Sequence, residues 1–99
     1  MNRYRNIQTW TPAFDRQLLS EEFRPALRGI LLALDRLDAG GPDAVAAYPL
    51  KAMLMSAAAS GGDTSLWAID VPDTDAHIAF RITPDGRYRM LECWLEPGR

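Results

Sequence analysis

The chain carries a single cysteine, Cys93, and lacks nearly every signature of cofactor chemistry. One cysteine excludes an internal disulfide framework and fits a reducing compartment. No cysteines and histidines are spaced for zinc, and neither a Walker-type glycine loop nor a GxGxxG is present. No cofactor and no metal are therefore expected. No apolar run approaches the ~20 residues that cross a bilayer. The opening MNRYRNIQTW has no apolar signal segment. The expectation is a cytoplasmic protein that makes no use of a membrane. Repeats, low-complexity tracts and linkers are absent too, so residues 1–99 read as one domain with one modest core. An excess of positive charge is also missing. The net charge is −2, whereas a generic nucleic-acid binder is usually basic.

That charge is unevenly spread. Residues 1–28 hold five arginines against three acids. Residues 29–76 hold Arg36 and Lys51 against seven aspartates. Residues 77–99 hold four arginines against three acids. A local basic patch on an acidic chain is compatible with this distribution.

The most informative stretch is 77–96, which reads as a β-hairpin, HIAFRIT–PDG–RYRMLECWLE. Pro84 presets φ for a type I turn, Asp85 suits the next position, and Gly86 can take the positive φ of a G1 bulge. Pairing Thr83 with Arg87 sets Ile82 against Tyr88, Arg81 against Arg89, Phe80 against Met90 and His77 against Cys93. Alternation then sorts the side chains by face. One face holds Ile78, Phe80, Ile82, Tyr88, Met90 and Trp94 and is a core face. The other holds His77, Ala79, Arg81, Arg87, Arg89, Leu91 and Cys93.

Like charges directly opposed destabilise a sheet, and Arg81 faces Arg89 with Arg87 beside them. Two readings stand. Either the three arginines point into water with their repulsion screened by salt, or an anion such as a carboxylate or a phosphate offsets it. His77, on the same face, has an imidazole suited to acid–base chemistry, and its predicted neighbour Cys93 makes a Cys–His pair conceivable. The plainer readings are a partly exposed strand histidine and a small buried thiol. Asp70, Asp73 and Asp75 lack the glycine and distal glutamate of a calcium loop and read as turn and solvating residues.

The remainder reads as follows. A strand is expected over 3–10. Thr11 caps a helix that starts at Pro12 and runs to Leu19. Ser20, with Glu21 and Glu22 after it, looks like the cap of a second helix. That helix spans 24–39, with Phe23, Leu27, Ile30, Leu31, Leu34 and Leu37 on one stripe, and Gly40-Gly41 ends it. Residues 42–47 form a connection of one helical turn. Residues 50–56 fit helix or strand, and 65–71 (SLWAIDV) is a strand. The fold class is α+β in the order β-α-α-β-β-β, with two N-terminal helices on one face of a small antiparallel sheet.

This order, the opening strand running into WTPAFDRQL, and the FRITPDGRYRMLECW hairpin resemble the RelE/ParE toxin superfamily of bacterial toxin–antitoxin pairs. That likeness tips 50–56 toward strand. It implies a cytoplasmic toxin neutralised by an antitoxin protein. In the RelE branch the activity is ribosome-dependent mRNA cleavage, with basic residues holding the scissile phosphate beside a general base. Position by position it implies Lys51, Arg81 and Arg89 as catalytic residues; Arg87 and His77, placed by the hairpin register, are expected to join them at the phosphate. The place where active members carry an arginine holds Ser65 and Leu66, and the last strand ends CWLEP without a histidine. The alternative is a non-enzymatic protein-binding module, either a ParE-like gyrase inhibitor or an unrelated small α+β interaction protein.

Overall fold

The structure is a computed structural model that describes residues 4–49 and 66–96. The expected strand at 50–56, and with it Lys51, lies outside the described residues. The chain runs β1 (Ile7–Trp10), α1 (Pro12–Leu19), a 3-10 turn (Arg24–Ala26), α2 (Leu27–Gly40), a second 3-10 turn (Pro42–Val45), β2 (Tyr48–Pro49), β3 (Leu66–Asp70), β4 (Ala76–Ile82) and β5 (Tyr88–Leu95). It is a small α+β domain with two helices and a five-stranded sheet ordered β1-β5-β4-β3-β2.

The sheet is mixed rather than antiparallel. β5, β4, β3 and β2 pair antiparallel in succession, but β1 lies parallel to β5, with Ile7 opposite Tyr88 and Trp10 opposite Met90. The connectivity permits this direction. Antiparallel neighbours can be joined by a tight turn, whereas parallel ones need a long connection, and here everything from α1 to β4 intervenes between β1 and β5. Asp38, near the end of α2, fixes where β1 begins. Its carboxylate accepts from the backbone N–H groups of Arg5 (3.2 Å), Asn6 (2.6 Å) and Ile7 (3.0 Å), and its carbonyl accepts from Asn6 Nδ2 (2.8 Å).

α1 begins as expected. Thr11 Oγ1 accepts from Phe14 N–H at 3.1 Å, and Pro12 takes the first helical position, where no N–H is needed. Ser20 does not cap the second helix. Its N–H and hydroxyl both donate to the Gln17 carbonyl, at 3.1 and 3.0 Å, so it closes α1 instead. The second helical segment opens at Arg24 as a 3-10 turn holding Pro25, and becomes α-helical at Leu27. Gly41, at φ +82, ends it.

Of the six residues expected on the inward stripe, Phe23, Ile30, Leu34 and Leu37 are buried, Leu27 is half-buried and Leu31 alone is exposed. Ala26, Ile30, Ala33, Leu34 and Leu37 are buried, while Leu31 and Leu32 are exposed. Ala26 and Ala33 thus add to the core side, and Leu31 turns outward. One apolar cluster joins Ile7, Phe14, Ile30, Leu34 and Leu37 to Ile69, Ile78, Phe80, Met90 and Cys93 of the strands. A second, smaller one joins Leu66, Ala68 and Ala79, with Leu91 and Trp94 against it.

Candidate functional site

The β4–β5 hairpin forms at the expected turn. Thr83 N–H donates to the Arg87 carbonyl at 2.8 Å, Arg87 N–H donates to Thr83 Oγ1 at 3.1 Å, and Gly86 sits at φ +84. The first three pairs follow the expected register: Ile82–Tyr88, Arg81–Arg89 and Phe80–Met90. Beyond them the register shifts by one. Ala79 faces Glu92, Ile78 faces Cys93 and His77 faces Trp94, because β5 carries a bulge at Leu91.

That one residue reverses two assignments. Cys93 lies on the core side, buried opposite Ile78, and burial first, then the charge of Glu92, pushes its thiol up to about 12. A thiol so held is neither ionised near neutrality nor beside His77, which excludes the Cys–His pair. Trp94, expected in the core, turns to the other side. Its ring stacks on the His77 imidazole, centroids 5.1 Å apart at 22°.

His77 is the hub of a polar cluster along one end of the sheet. Its Nδ1 lies 2.7 Å from Asp70 Oδ1, directly across on β3, and its Nε2 lies 2.8 Å from Glu96 Oε1, just past β5. Tyr48 of β2 donates its hydroxyl to the same Asp70 Oδ1 at 2.7 Å. Burial, then the Asp70 carboxylate, pushes that phenol up to about 12. Carboxylates only accept, so both imidazole contacts are hydrogen bonds when the ring carries both its hydrogens. The sequence signal for this cluster was present in part. β3 and β4 flank a short turn, and pairing them places Asp70 against His77. Glu96 and Trp94 depend on the bulge and could not be placed by alternation.

The arginines form a separate group. Arg81 and Arg89 face each other, with Leu66 across from Arg81 on β3. Arg87 lies at the turn, its Nε 3.8 Å from Asp85 Oδ2. His77 is four residues from Arg81 along β4, about 13 Å at the rise of a strand. The structure therefore brings Arg81 and Arg89 together, holds Arg87 beside the turn carboxylate, and sets His77 apart with acids of its own. Among the described residues no three His, Cys, Asp or Glu side chains are grouped to hold a metal ion. Among them, too, no helix is long and apolar enough to cross a membrane.

A cleft of about 560 Å³ lies elsewhere, between α2, the second 3-10 turn and the β3–β4 connection. Arg28 and Arg36 line it together with Asp43 and Asp73, around Leu32, Val45 and Ile69.

No protein-family model, no curated protein and no solved structure matches the chain.

Proposed function

We propose that this domain is a toxin-type partner of a RelE/ParE-like pair that works by binding another protein rather than by cutting RNA. The two helices, in this reading, cover one face of the sheet. The opposite face, with Arg81 and Arg89, meets an acidic segment of the partner, first of all an antitoxin and then a cellular target of the gyrase type. The observation that carries the reading is the state of His77. It is the chain's one histidine, and both of its ring nitrogens are taken by carboxylates about 13 Å from the arginine pair. A histidine acting as general base for RNA cleavage needs an open nitrogen next to the phosphate site. Two opposed arginines with no open histidine beside them suit charge recognition, where a planar guanidinium pair takes carboxylates.

The test is induced expression in a bacterial host, scored for growth and for bulk mRNA, with purified protein added to translating ribosomes in parallel. Growth arrest with intact mRNA is expected, and it disappears in the Arg81→Ala/Arg89→Ala double variant. Cleaved mRNA overturns the binding reading in favour of a RelE-like ribosome-dependent endoribonuclease. Unimpaired growth with soluble, folded protein overturns the toxin reading altogether.

A further inference from the structure

We propose that the cleft beside α2 binds a short apolar peptide with free ends, its amino group on an aspartate and its carboxylate on an arginine. Neither Arg81 nor Arg89 lines this cleft, and the site stands apart from the binding role proposed above.

Helical spacing makes the cleft. Residues four apart share a face of a helix. α2 therefore offers the cleft two rows, Gly29 with Ala33, and beside them Arg28 with Leu32 and Arg36. The glycine lets the opposing chain come close. A methyl added at Gly29 would lie 2.9 Å from Val71 Cγ1, so the β3–β4 connection packs directly on the helix there. At the other end a methyl added at Gly40 would lie 2.7 Å from Ala44 Cβ, so the second 3-10 turn packs there in the same way. Between these two supports about 560 Å³ stays open. That is within the range of about 300–1,000 Å³ that holds small ligands. Ala33 and Ile69 form a buried floor, Val45 is half-buried, and Leu32 is 48% exposed.

Each end of the opening carries one charge of each sign. Asp73 belongs to the connection that packs on Gly29, next to Arg28. Asp43 belongs to the turn that packs on Gly40, one helical turn beyond Arg36. All four side chains are exposed and line the cleft. Among the described residues no ion pair joins Arg28 or Arg36 to an acid, and none joins Asp43 or Asp73 to a base. A ligand that is only anionic meets an aspartate at either end, and one that is only cationic meets an arginine. An acid at one end, an amine at the other and an apolar middle satisfy both ends together. Arg28 and Arg36 are eight residues apart, about 12 Å along the helix axis. Four extended peptide residues span about 13 Å.

The backbone around the opening is strained. Among the described residues the non-glycines with left-handed φ are Ala46 at +52 and Asp73 at +65, and both line the cleft. Such conformations persist where the surrounding structure over-determines them, and they cluster at ligand clamps.

The test is amide NMR of the nitrogen-15-labelled protein, titrated with the tetrapeptide Ala-Leu-Leu-Ala. Saturable shifts are expected at Gly29, Ala33, Val45 and Asp73, with a Kd below about 1 mM. Acetylating and amidating the peptide removes both end charges, and binding to the parent protein is expected to weaken by roughly tenfold or more. The peptide can lie in either direction, so both arginines or both aspartates must be changed together. Arg28→Gln/Arg36→Gln is expected to bind the free and the C-terminally amidated peptides alike. Asp43→Asn/Asp73→Asn is expected to bind the free and the N-terminally acetylated peptides alike. Absence of saturable shifts at millimolar peptide, shifts that map away from the cleft, or a fully capped peptide that binds the parent as tightly as the free one overturns the site.

Discussion

Gln17 and Cys93 are bonded twice: the Gln17 side-chain amide donates to the Cys93 carbonyl at 2.9 Å, and the Cys93 N–H donates to Gln17 Oε1 at 2.6 Å. A side-chain amide has the same donor and acceptor as a peptide group, so Gln17 acts as one residue of a neighbouring strand. It does so where β1, whose last pair with β5 is Trp10–Met90, has stopped. Thr11 fills the step between, its N–H on the Met90 carbonyl and its hydroxyl on the Leu91 carbonyl at 2.6 Å. An unpaired strand edge is a template for unwanted pairing, and α1 closes this part of it.

Gln17→Ala leaves a backbone donor and acceptor of β5 without partners, and the expected loss of stability is about 1–3 kcal/mol. Gln17→Glu is expected to lose stability too, because a carboxylate satisfies the Cys93 N–H but repels its carbonyl. Urea unfolding of the three proteins checks this. A Gln17→Ala midpoint equal to that of the parent would mean that water serves the β5 edge equally well.

The same contacts explain how far the hairpin could be read in advance. Turn chemistry fixed Thr83 to Arg87 and alternation carried the register to Phe80–Met90, because both are local. The bulge at Leu91 is not local. It falls where the Met90 and Leu91 carbonyls bond to Thr11, some 80 residues away in the chain. One inserted residue exchanged the faces of Cys93 and Trp94, and with them the candidate chemistry of His77. The parallel pairing of β1 with β5 was illegible for a similar reason. A strand's own residues say which face is apolar, not which distant strand lies beside it or in which direction.

Asp38 makes the fold sensitive to acid. Burial would raise its carboxyl pKa, but backbone hydrogen bonds from Asn6, Ile7 and Arg5, helped by the Arg5 charge, leave it lowered. A group lowered in the folded state contributes stability above its unfolded value and loses it as pH falls through the folded one. Asp38→Asn is therefore expected to be less stable than the parent by about 1–2 kcal/mol near neutrality. The gap narrows as the parent's own carboxylate is protonated below its ordinary value of 3.8. Thermal melts across that range check the convergence. A gap that stays constant with pH would show that shape, not charge, is what Asp38 supplies.

Cys93 should be silent toward thiol reagents in the folded protein. It is buried at 3% exposure, and its thiol is pushed up to about 12. Since the thiolate is the reactive form, labelling by a disulfide reagent near pH 8 is expected to be at least roughly 100-fold slower than in denaturant, and limited by opening of the structure. Cys93→Ala removes the reaction. Rapid labelling of native protein would put Cys93 back on the exposed face.

Tyr48 gives a signal at the alkaline end. Burial, then its hydrogen bond to Asp70, pushes the phenol up to about 12 from an ordinary 10.0. The neutral phenol is the form the fold keeps, so its contribution is intact below 10 and fades as pH rises through about 12. Ultraviolet titration of phenolate should show one late component, absent in Tyr48→Phe. If all tyrosines titrate together near their ordinary value, Tyr48 is not bonded to Asp70.

Arg81 and Arg89 are directly opposed on neighbouring strands, where like charges repel. Replacing Arg89 with glutamine removes that repulsion. The expected result is a gain of about 0.2–1 kcal/mol at low salt that shrinks as ionic strength rises. A residue that lowers stability where a neutral one would raise it is the mark of a surface shaped by what it meets. The Arg89→Gln protein is accordingly expected to be the more stable of the two and, on the toxin reading proposed above, the less toxic. Stability comes from unfolding at two salt concentrations and toxicity from growth on induction. Greater stability with undiminished toxicity would leave the pair as a solvated flaw in the hairpin and move the binding surface elsewhere. Lower stability would mean that Arg89 pairs with an acid on its own chain and that no partner is needed to offset the charge.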